Sequence, residues 1–245
     1  MGFGHWLNER RQIIKFYKDI YYHNLYCRFK HDIDSPYDKS GTIPKTIHYA
    51  WFGKGKKPEL VEKCLATWPT VLKDYNITLW DEDSFPIEKY RFAKQAYEKK
   101  KYAFVADVAR LHVMYYYGGI YMDTDCEVLK SFDDLLVNDV FACYESPNLI
   151  SIGTIGAKPH HPFVRLLLKW YETVDFCDDY AEIASTRIYT RILRLKYGIK
   201  PNGKLLLLPN AVKVYPRDYF CPDKVDGKWA VSDNTYVVHH FTGLW

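Results

Sequence analysis

The sequence lacks several features that would place the protein in a specialised class. No apolar run approaches the ~20 residues of a membrane-spanning helix. The first residues, MGFGHWLNERRQ, contain neither the apolar core nor the cleavage site of a signal peptide, and Trp6 stands where a myristoylated chain needs Ser or Thr. The six cysteines are scattered without a C-x-x-C pair, so neither a zinc cage nor a disulfide framework is predicted. We therefore expect a cytoplasmic protein.

Length and composition indicate an ordinary globular chain. The 245 residues are enough for one large domain or two small ones, and 48% of them are apolar and 26% charged. Aromatic residues reach 17%, with 22 tyrosines. This content suits a protein that stacks flat ligands or handles sugars, but it is equally typical of a Tyr-rich core.

The positive charge is concentrated at the N-terminus. Residues 1–31 contain six basic and two acidic residues, a net +4 that equals the charge of the whole chain. Their basic and apolar residues alternate as in an amphipathic helix, which could lie on an anionic membrane surface or pack on the domain with a solvated face. A linker rich in Pro, Gly, Ser and Asp follows, so we divide the chain into an arm, residues 1–42, and a domain, residues 43–245.

The domain alternates strands and helices in its first half and is more mixed afterwards. This order predicts an α/β fold with a mostly parallel sheet. Strands are predicted at 46–52, 77–80, 120–125, 140–145, 149–157, 205–209 and 235–241, and helices at 58–68, 87–100, 104–117, 161–174 and 186–198.

Two aspartates stand at the end of an apolar run. Asp123 and Asp125 close the stretch YYYGGIYMDTD, and on a strand they point to the same side. Two carboxylates this close favour a cation such as Mg²⁺ or Mn²⁺. The triplets at 32–34 and 81–83 have the same pattern but lie in polar loops, where Asp commonly caps or turns. The strand context therefore makes residues 123–125 the candidate site, since ligands gather at the carboxyl ends of strands.

A second pair of charged residues precedes the aspartates. Asp107 and Arg110 lie three residues apart in a largely apolar helix, so they share one face. They could form a simple surface ion pair, or they could hold the hydroxyl groups of a sugar from a rigid support.

Three separated blocks, IPKTIHYAWFG, ADVARLHVMYYYGGIYMDTDCEVL and HHFTGLW, together resemble the family-32 glycosyltransferases. This family carries the DXD sugar-binding signature, and the same pattern is similar to the catalytic domain of the large clostridial glucosylating toxins. The resemblance spans residues 43–245. It implies a GT-A fold, a nucleotide-sugar donor, a divalent metal, usually Mn²⁺, and retention of anomeric configuration.

The resemblance also implies roles for individual residues. Leu244 stands where bacterial relatives often have Ser, so a small hydroxyl near the phosphate is missing, although Thr242 is close. Trp51 would stack on the base, with Asp83 near the base or ribose; Asp107, Arg110, Tyr121 and Asp123 would hold the donor sugar or ribose; Asp125 would bind the metal, with Asp123 contacting it through water and His240 as C-terminal ligand; and Trp245 would reach the β-phosphate.

The donor implied first is a UDP-sugar, and GDP-mannose is the alternative. The acceptor would be a glycan or lipid-linked glycan of surface polysaccharide, such as capsule or lipopolysaccharide, handled at the inner face of the membrane; no nucleic-acid partner is expected. No carboxylate stands out as a nucleophile, so a front-face mechanism fits best. His239 and His240 are adjacent on a predicted strand, so only one of them can face the metal.

Two other function classes use similar features. Phosphatases with an aspartyl nucleophile also carry Asp-x-Asp after a strand, but they need Thr or Val two residues beyond, where this chain has Glu127. A sugar- or membrane-binding module without catalysis is the second alternative. Metal-dependent hydrolysis of a nucleotide sugar would exclude the module, and phosphate release from a phosphomonoester would favour the phosphatase.

Overall fold

A computed structural model describes residues 37–179 and 183–243. The basic arm, residues 1–31, lies outside these ranges, and so does Trp245. The division of the chain at residue 42 therefore stays a prediction. Within the described ranges, no helix combines the length and the apolar character that crossing a membrane requires.

A seven-stranded sheet forms the centre of the described chain, in the order β2-β1-β3-β6-β5-β8-β7. β1, β2, β3, β5 and β8 run in one direction, whereas β6 and β7 run antiparallel to their neighbours. The predicted α/β fold with a mostly parallel sheet is confirmed. The strands are β1 (Thr46–Ala50), β2 (Asn76–Trp80), β3 (Gly119–Met122), β4 (Cys126–Val128), β5 (Val140–Ser146), β6 (Leu149–Ala157), β7 (Leu206–Leu208), β8 (Val212–Tyr215), β9 (Lys224–Val225), β10 (Lys228–Trp229) and β11 (Val237–His239).

Helices cover both faces of this sheet. Pro58 caps the first of them, as its position in the sequence predicts. The helix predicted over 87–100 is wrong in its extent, because a 3₁₀ turn at Ile87–Lys89 precedes a shorter helix. The helices are α1 (Glu59–Val71), α2 (Arg91–Glu98), α3 (Tyr102–Tyr116), α4 (Pro162–Tyr171) and α5 (Ser185–Tyr197).

Two buried clusters hold the layers together. On one face, α2, α3, α4 and α5 pack their apolar residues on Tyr121 of β3 and on β5, β6 and β8. On the other face, Trp68 of α1 packs with Ile120 and Met122 of β3 and with the aromatic residues around Phe132 and Phe220. Because successive residues of β3 point to opposite faces, this one strand contributes to both clusters.

A glycine pair links α3 to β3 and so sets the direction of the strand that leads to the aspartates. Gly118 has φ +65° and Gly119 φ +94°, a region that favours glycine. A Cβ atom on Gly119 would lie 2.6 Å from the carbonyl oxygen of Thr46, so the close approach of β1 and β3 requires glycine here. The turn brings β3 beside β1 with its carboxyl end toward the candidate site.

The aspartates lie beyond the sheet strand. β3 ends at Met122, and residues 123–125 form a turn that is closed by a hydrogen bond from the Cys126 amide to the Asp123 carbonyl, N···O 3.1 Å. The predicted strand over 120–125 is therefore too long, because the chain leaves the central sheet to form a separate ribbon. In that ribbon β4 pairs antiparallel with β11. The turn is thereby held between the central sheet and a strand from the end of the chain.

Candidate active site

A cavity of about 610 Å³ opens where the co-directional strands end. Trp51 follows β1, Asp123 follows β3, and Glu145 lies near the end of β5; all three line the cavity. Ligands in open α/β sheets bind at this edge, outside the carboxyl ends of the strands. The size is that of a site for a drug-sized or nucleotide-sized molecule.

The buried Arg110 joins two carboxylates in this cavity. Its Nη1 atom lies 3.1 Å from Oδ1 of Asp107, and its Nη2 atom lies 2.5 Å from Oδ1 of Asp123. The guanidinium also lies over the ring of Tyr121, 4.8 Å from its centroid. The interpretation of Asp107 and Arg110 as a solvated surface pair is therefore wrong, since each is about 95% buried. The structure brings four of the predicted donor-binding residues together.

Burial and charge oppose each other in this group. Burial raises the pKa of Asp107 to about 7, although the Arg110 charge acts to lower it. Burial also raises the pKa of Asp123 against the same guanidinium. Burial would lower the pKa of Arg110, but the two carboxylates outweigh it and hold that pKa well above its ordinary value. The guanidinium is therefore charged, and it is the cation around which the two acids are arranged.

Asp125 is held by the segment that follows β11. His239 Nε2 lies 3.1 Å from Oδ1 of Asp125, and the amide and hydroxyl of Thr242 each donate to Oδ2 across 2.8 Å. Burial alone would raise the pKa of Asp125, but these hydrogen bonds outweigh it, and the pKa lies below its ordinary value. Asp125 is therefore a carboxylate with its two oxygens directed at β11 and the residues after it.

His239 and not His240 faces the aspartates. The Nε2 atom of His239 is also 3.9 Å from Oδ2 of Asp123, whereas His240 Nε2 lies 3.0 Å from Glu127 and its ring packs against Trp229. Only His239 lines the cavity. The structure thus places His239 where the resemblance implies His240. The two buried residues Val237 and Val238 precede the pair, so simple alternation does not indicate which histidine points inward.

The donor set fits a divalent cation. Within the described residues, the side chains that could jointly hold a metal are Asp125, Cys126 and His239, with ligand atoms within 4.8 Å of one another. Burial keeps the pKa of the Cys126 thiol well above its ordinary value, and its sulfur contacts Thr154, so it is a poor ligand. The imidazole of His239 is buried beside both aspartates. Carboxylate, imidazole and hydroxyl groups together suit Mn²⁺.

Gly153 allows the two aspartates and His239 to meet. Its carbonyl accepts a hydrogen bond from the Asp123 amide, N···O 2.7 Å. A Cβ atom at this position would lie 2.7 Å from Oδ2 of Asp123 and 3.0 Å from Cε1 of His239. Any larger residue would have to displace one of these groups.

Of the remaining predicted residues, Trp51 lies at the cavity and Asp83 does not. Trp51 lines the cavity, with its indole N–H donating to the Gly55 carbonyl across 2.8 Å and Lys57 lying 5.3 Å from its ring. Asp83 is exposed and does not line the cavity, so the structure does not bring it to the site. The proposed base-stacking role of Trp51 and the phosphate role of Trp245 stay predictions.

Glu145 and Thr242 are among the cavity residues for which the sequence predicts no role in holding the donor sugar or the metal. Glu145 lines the cavity, and Thr242 contacts Asp125 directly. The stretch VFACYES carries a signal for Glu145, because a carboxylate ends an apolar strand there just as Asp123 does. The contact of Thr242 with Asp125 has no comparable signal, since the two residues are 117 positions apart.

Residues 58–142 match the family described as glycosyltransferase sugar-binding region containing the DXD motif. This range contains Asp107, Arg110, Asp123 and Asp125, which the structure gathers in one cavity. Residues 58–142 of the chain are therefore similar to the sugar-binding region of the DXD-containing glycosyltransferases. The resemblance drawn from its sequence motifs is confirmed.

Two fungal proteins are similar in sequence to this chain. Inositol phosphoceramide mannosyltransferase 3 of Schizosaccharomyces pombe is 30% identical over 165 residues, 64% of this chain and 42% of that protein. The mannosyl phosphorylinositol ceramide synthase SUR1 of Saccharomyces cerevisiae is 29% identical over 215 residues, 82% of this chain and 55% of that protein. The chain thus spans about half the length of these relatives.

A solved structure supports the fold. The PaToxG glycosyltransferase superposes with a TM-score of 0.50 at 17% identity, and the match covers 78% of this chain and 80% of that one. The predicted GT-A fold is confirmed.

Proposed function

We propose that the glycosyltransferase moves a hexose from a nucleotide sugar to a hydroxyl group of a lipid-linked polyol or glycan, with a divalent cation and with retention of configuration. The observation that carries this proposal is that two groups of side chains, one suited to a sugar and one suited to a cation, lie side by side in one cavity. The Asp107–Arg110–Asp123 group offers carboxylate oxygens to sugar hydroxyls, and the Asp125–His239 group beside it offers cation ligands.

The chain's own residues orient the donor in this proposal. Arg110 fixes both carboxylates, so little motion is needed when sugar hydroxyls donate to them. Asp125, His239 and Thr242 would hold the metal, with Asp123 beside them. A divalent ion bound there would neutralise the charge of the departing nucleoside diphosphate. Phe241 lines the cavity and stacks on His239 at 4.1 Å between ring centroids.

Mannose is the sugar that we propose first. The two fungal relatives are named as enzymes that transfer mannose to inositol phosphoceramide, and this favours GDP-mannose over a UDP-sugar. The same names favour an inositol-bearing lipid as acceptor over a capsule or lipopolysaccharide glycan, which is supported by motif resemblance alone. UDP-hexose transfer in surface polysaccharide synthesis is the second candidate.

A screen of donors tests the proposal directly. The purified protein is incubated with GDP-mannose, UDP-glucose, UDP-galactose or UDP-N-acetylglucosamine, with Mn²⁺, Mg²⁺ or EDTA, and with or without inositol phosphoceramide in detergent micelles. We expect metal-dependent release of GDP, and more of it when the acceptor is present. Phosphate release from p-nitrophenyl phosphate without nucleotide release would instead support a phosphatase, and binding without turnover would support a sugar-binding module.

We also propose that the protein acts in the cytoplasm as a peripheral protein on the inner face of the membrane, through its basic arm. The support is the net +4 of residues 1–31, since basic residues near an anionic bilayer each contribute about 1 kcal/mol. Binding to vesicles of phosphatidylcholine with phosphatidylserine should fall steeply with salt and disappear when residues 1–31 are deleted. Binding that survives the deletion would assign the contact to another surface.

A further inference from the structure

Glu145 is a cavity carboxylate that the proposed donor site does not use. It lies near the end of β5, where the strand changes from buried residues to half-buried ones. It makes no hydrogen bond or ion pair with the described residues, although its side chain lines the cavity. A half-buried carboxylate without a partner is costly unless water or a ligand satisfies it.

The backbone at Glu145 is irregular in a way that directs its side chain. Tyr144 pairs with Ile150 and Ser146 pairs with Leu149, so two steps on β5 oppose one step on β6. Glu145 is thus the extra residue of a β-bulge. Bulges of this kind re-aim side chains and are frequent next to active sites. The geometry therefore gives Glu145 a defined direction.

Glu145 and Asp123 lie on either side of β6. Asp123 follows β3 and Glu145 lies on β5, and β6 runs between these two strands. Two strand spacings correspond to about 10 Å. Asp123 is committed to Arg110, and Glu145 is not part of the group around Asp125 that could hold a metal in the described chain. The cavity therefore contains a carboxylate that is not engaged with Arg110 or with the cation ligands, on the far side of β6 from Asp123.

The charge of Glu145 restricts what it can bind. A carboxylate accepts hydrogen bonds and repels phosphate, so a neutral hydroxyl suits it and the donor diphosphate does not. Burial raises the pKa of Glu145, against the nearby positive charges of His239 and Arg217. Leu149 and Gly153 of β6 provide a less polar wall beside it.

We propose that Glu145 binds the acceptor: its carboxylate accepts a hydrogen bond from an acceptor hydroxyl beside the one that receives the sugar. This inference rests on the proposed glycosyl transfer. In that step the acceptor oxygen bonds to C1 of the sugar, the bond between C1 and the phosphate oxygen breaks, and the hydroxyl proton passes to the released phosphate. Glu145 orients the acceptor through the neighbouring hydroxyl and is chemically unchanged.

The test compares two reactions of the same donor, sugar transfer to the acceptor and hydrolysis. With GDP-mannose and Mn²⁺, transfer to inositol phosphoceramide micelles is measured together with hydrolysis, in which water is the acceptor. Glu145→Gln should lower kcat/KM for the acceptor by about 10- to 100-fold, the range for a lost hydrogen bond to a charged group. Hydrolysis and the KM for GDP-mannose should stay within about twofold. Glu145→Asp should restore part of the transfer, and Glu62→Gln on the exposed face of α1 serves as the matched control.

Each other result overturns the inference in a recognisable way. If Glu145→Gln lowers hydrolysis as much as transfer, the residue acts on the donor or as a nucleophile. If transfer is unchanged, Glu145 does not bind the acceptor, while the proposed function stands. If the wild-type protein releases no nucleotide from any donor of the screen, the proposed function fails and the acceptor role of Glu145 fails with it. Glu145→Ala is measured in the same way, because a glutamine side chain can still accept a hydrogen bond from the hydroxyl, whereas alanine cannot.

Discussion

His239 donates from Nε2 to Asp125 across 3.1 Å and so connects β11 to the turn after β3. The imidazole is buried, and its hydrogen bond to Asp125 outweighs that burial and holds its pKa well above the ordinary value. In the protein without a cation, a positive imidazolium therefore lies against the aspartates. A bound cation would replace this charge and release a proton.

His239→Gln should abolish most of the thermal stabilisation that Mn²⁺ and GDP or UDP together provide. The reason is that glutamine cannot supply the imidazole nitrogen that lies against Asp125. We expect the apparent affinity for the nucleotide to fall about tenfold or more. His240→Gln is the matched control, because His240 pairs with Glu127 outside the cavity. If His240→Gln instead removes the stabilisation in thermal melts and His239→Gln retains it, His240 is the metal ligand.

Asp125→Asn should remove metal-dependent turnover and leave the fold intact. An asparagine keeps the shape of the side chain and its contacts with Thr242, but it lacks the charge that a divalent ion requires. Nucleotide release should fall by at least about 100-fold, the usual order for a lost catalytic electrostatic contact. Asp83→Asn, in a D-x-D triplet outside the cavity, should behave as wild type. Near wild-type turnover in the Asp125 variant would contradict the site assignment.

Asp107 should make stability depend on pH. Its pKa in the folded protein is about 7, above the ordinary 3.8, so the folded state keeps a proton that the unfolded chain loses. The contribution of Asp107 to the free energy of unfolding is then complete below about pH 4 and is lost as the pH rises to 7. Relative to Asp107→Asn, the wild-type protein should lose stability over this range.

The comparison with Asp107→Asn is needed because other groups make the stability depend on pH in the opposite direction. His48, His112 and His161 have pKa values lowered by burial to about 4, so their contribution is lost as the pH falls from 6.5 toward 4. These histidines are the same in both proteins, and the difference between the two urea unfolding curves isolates Asp107. A difference that is constant from pH 4 to 8 would contradict the raised pKa.

Gly153→Ala should damage the site more than the fold. The new methyl group would lie against the carboxylate of Asp123 and the ring of His239, and both must shift. We expect nucleotide-induced stabilisation to fall by more than half with a small change in the apo melting temperature. Gly156→Ala on the same strand is the comparison, because its methyl group would clash with the buried ring of Phe141. That variant should lower the apo melting temperature; equal effects of both variants on the fold would contradict the distinction.

Short-range patterns in the sequence predict much of this architecture. The helix with Asp107 and Arg110, the glycine pair and the strand before Asp123 follow from local periodicity and turn chemistry. They also place Asp107, Arg110 and Asp123 on converging elements. Local patterns do not show whether a side chain is buried. An ion pair spaced i, i+3 has the same spacing on a surface as in the buried position that Arg110 occupies.

Contacts between distant segments account for the features that were not predicted. The choice between His239 and His240 depends on how β11 pairs with β4. The direction of Glu145 depends on a one-residue irregularity between β5 and β6. Strand endings are also set by partners, which is why β3 stops at Met122 although the apolar pattern continues to the aspartates.

The pairing of β4 with β11 has a consequence for the order in which the protein folds. Glu127 and His240, which meet across this ribbon, are 113 residues apart in the chain. The seven strands of the central sheet all precede residue 216, and β11 follows them in the chain at Val237–His239. Closing so long a loop is slow compared with forming local contacts. The sheet is therefore expected to fold first, and the protein acquires its ability to bind a cation only when its last strand docks.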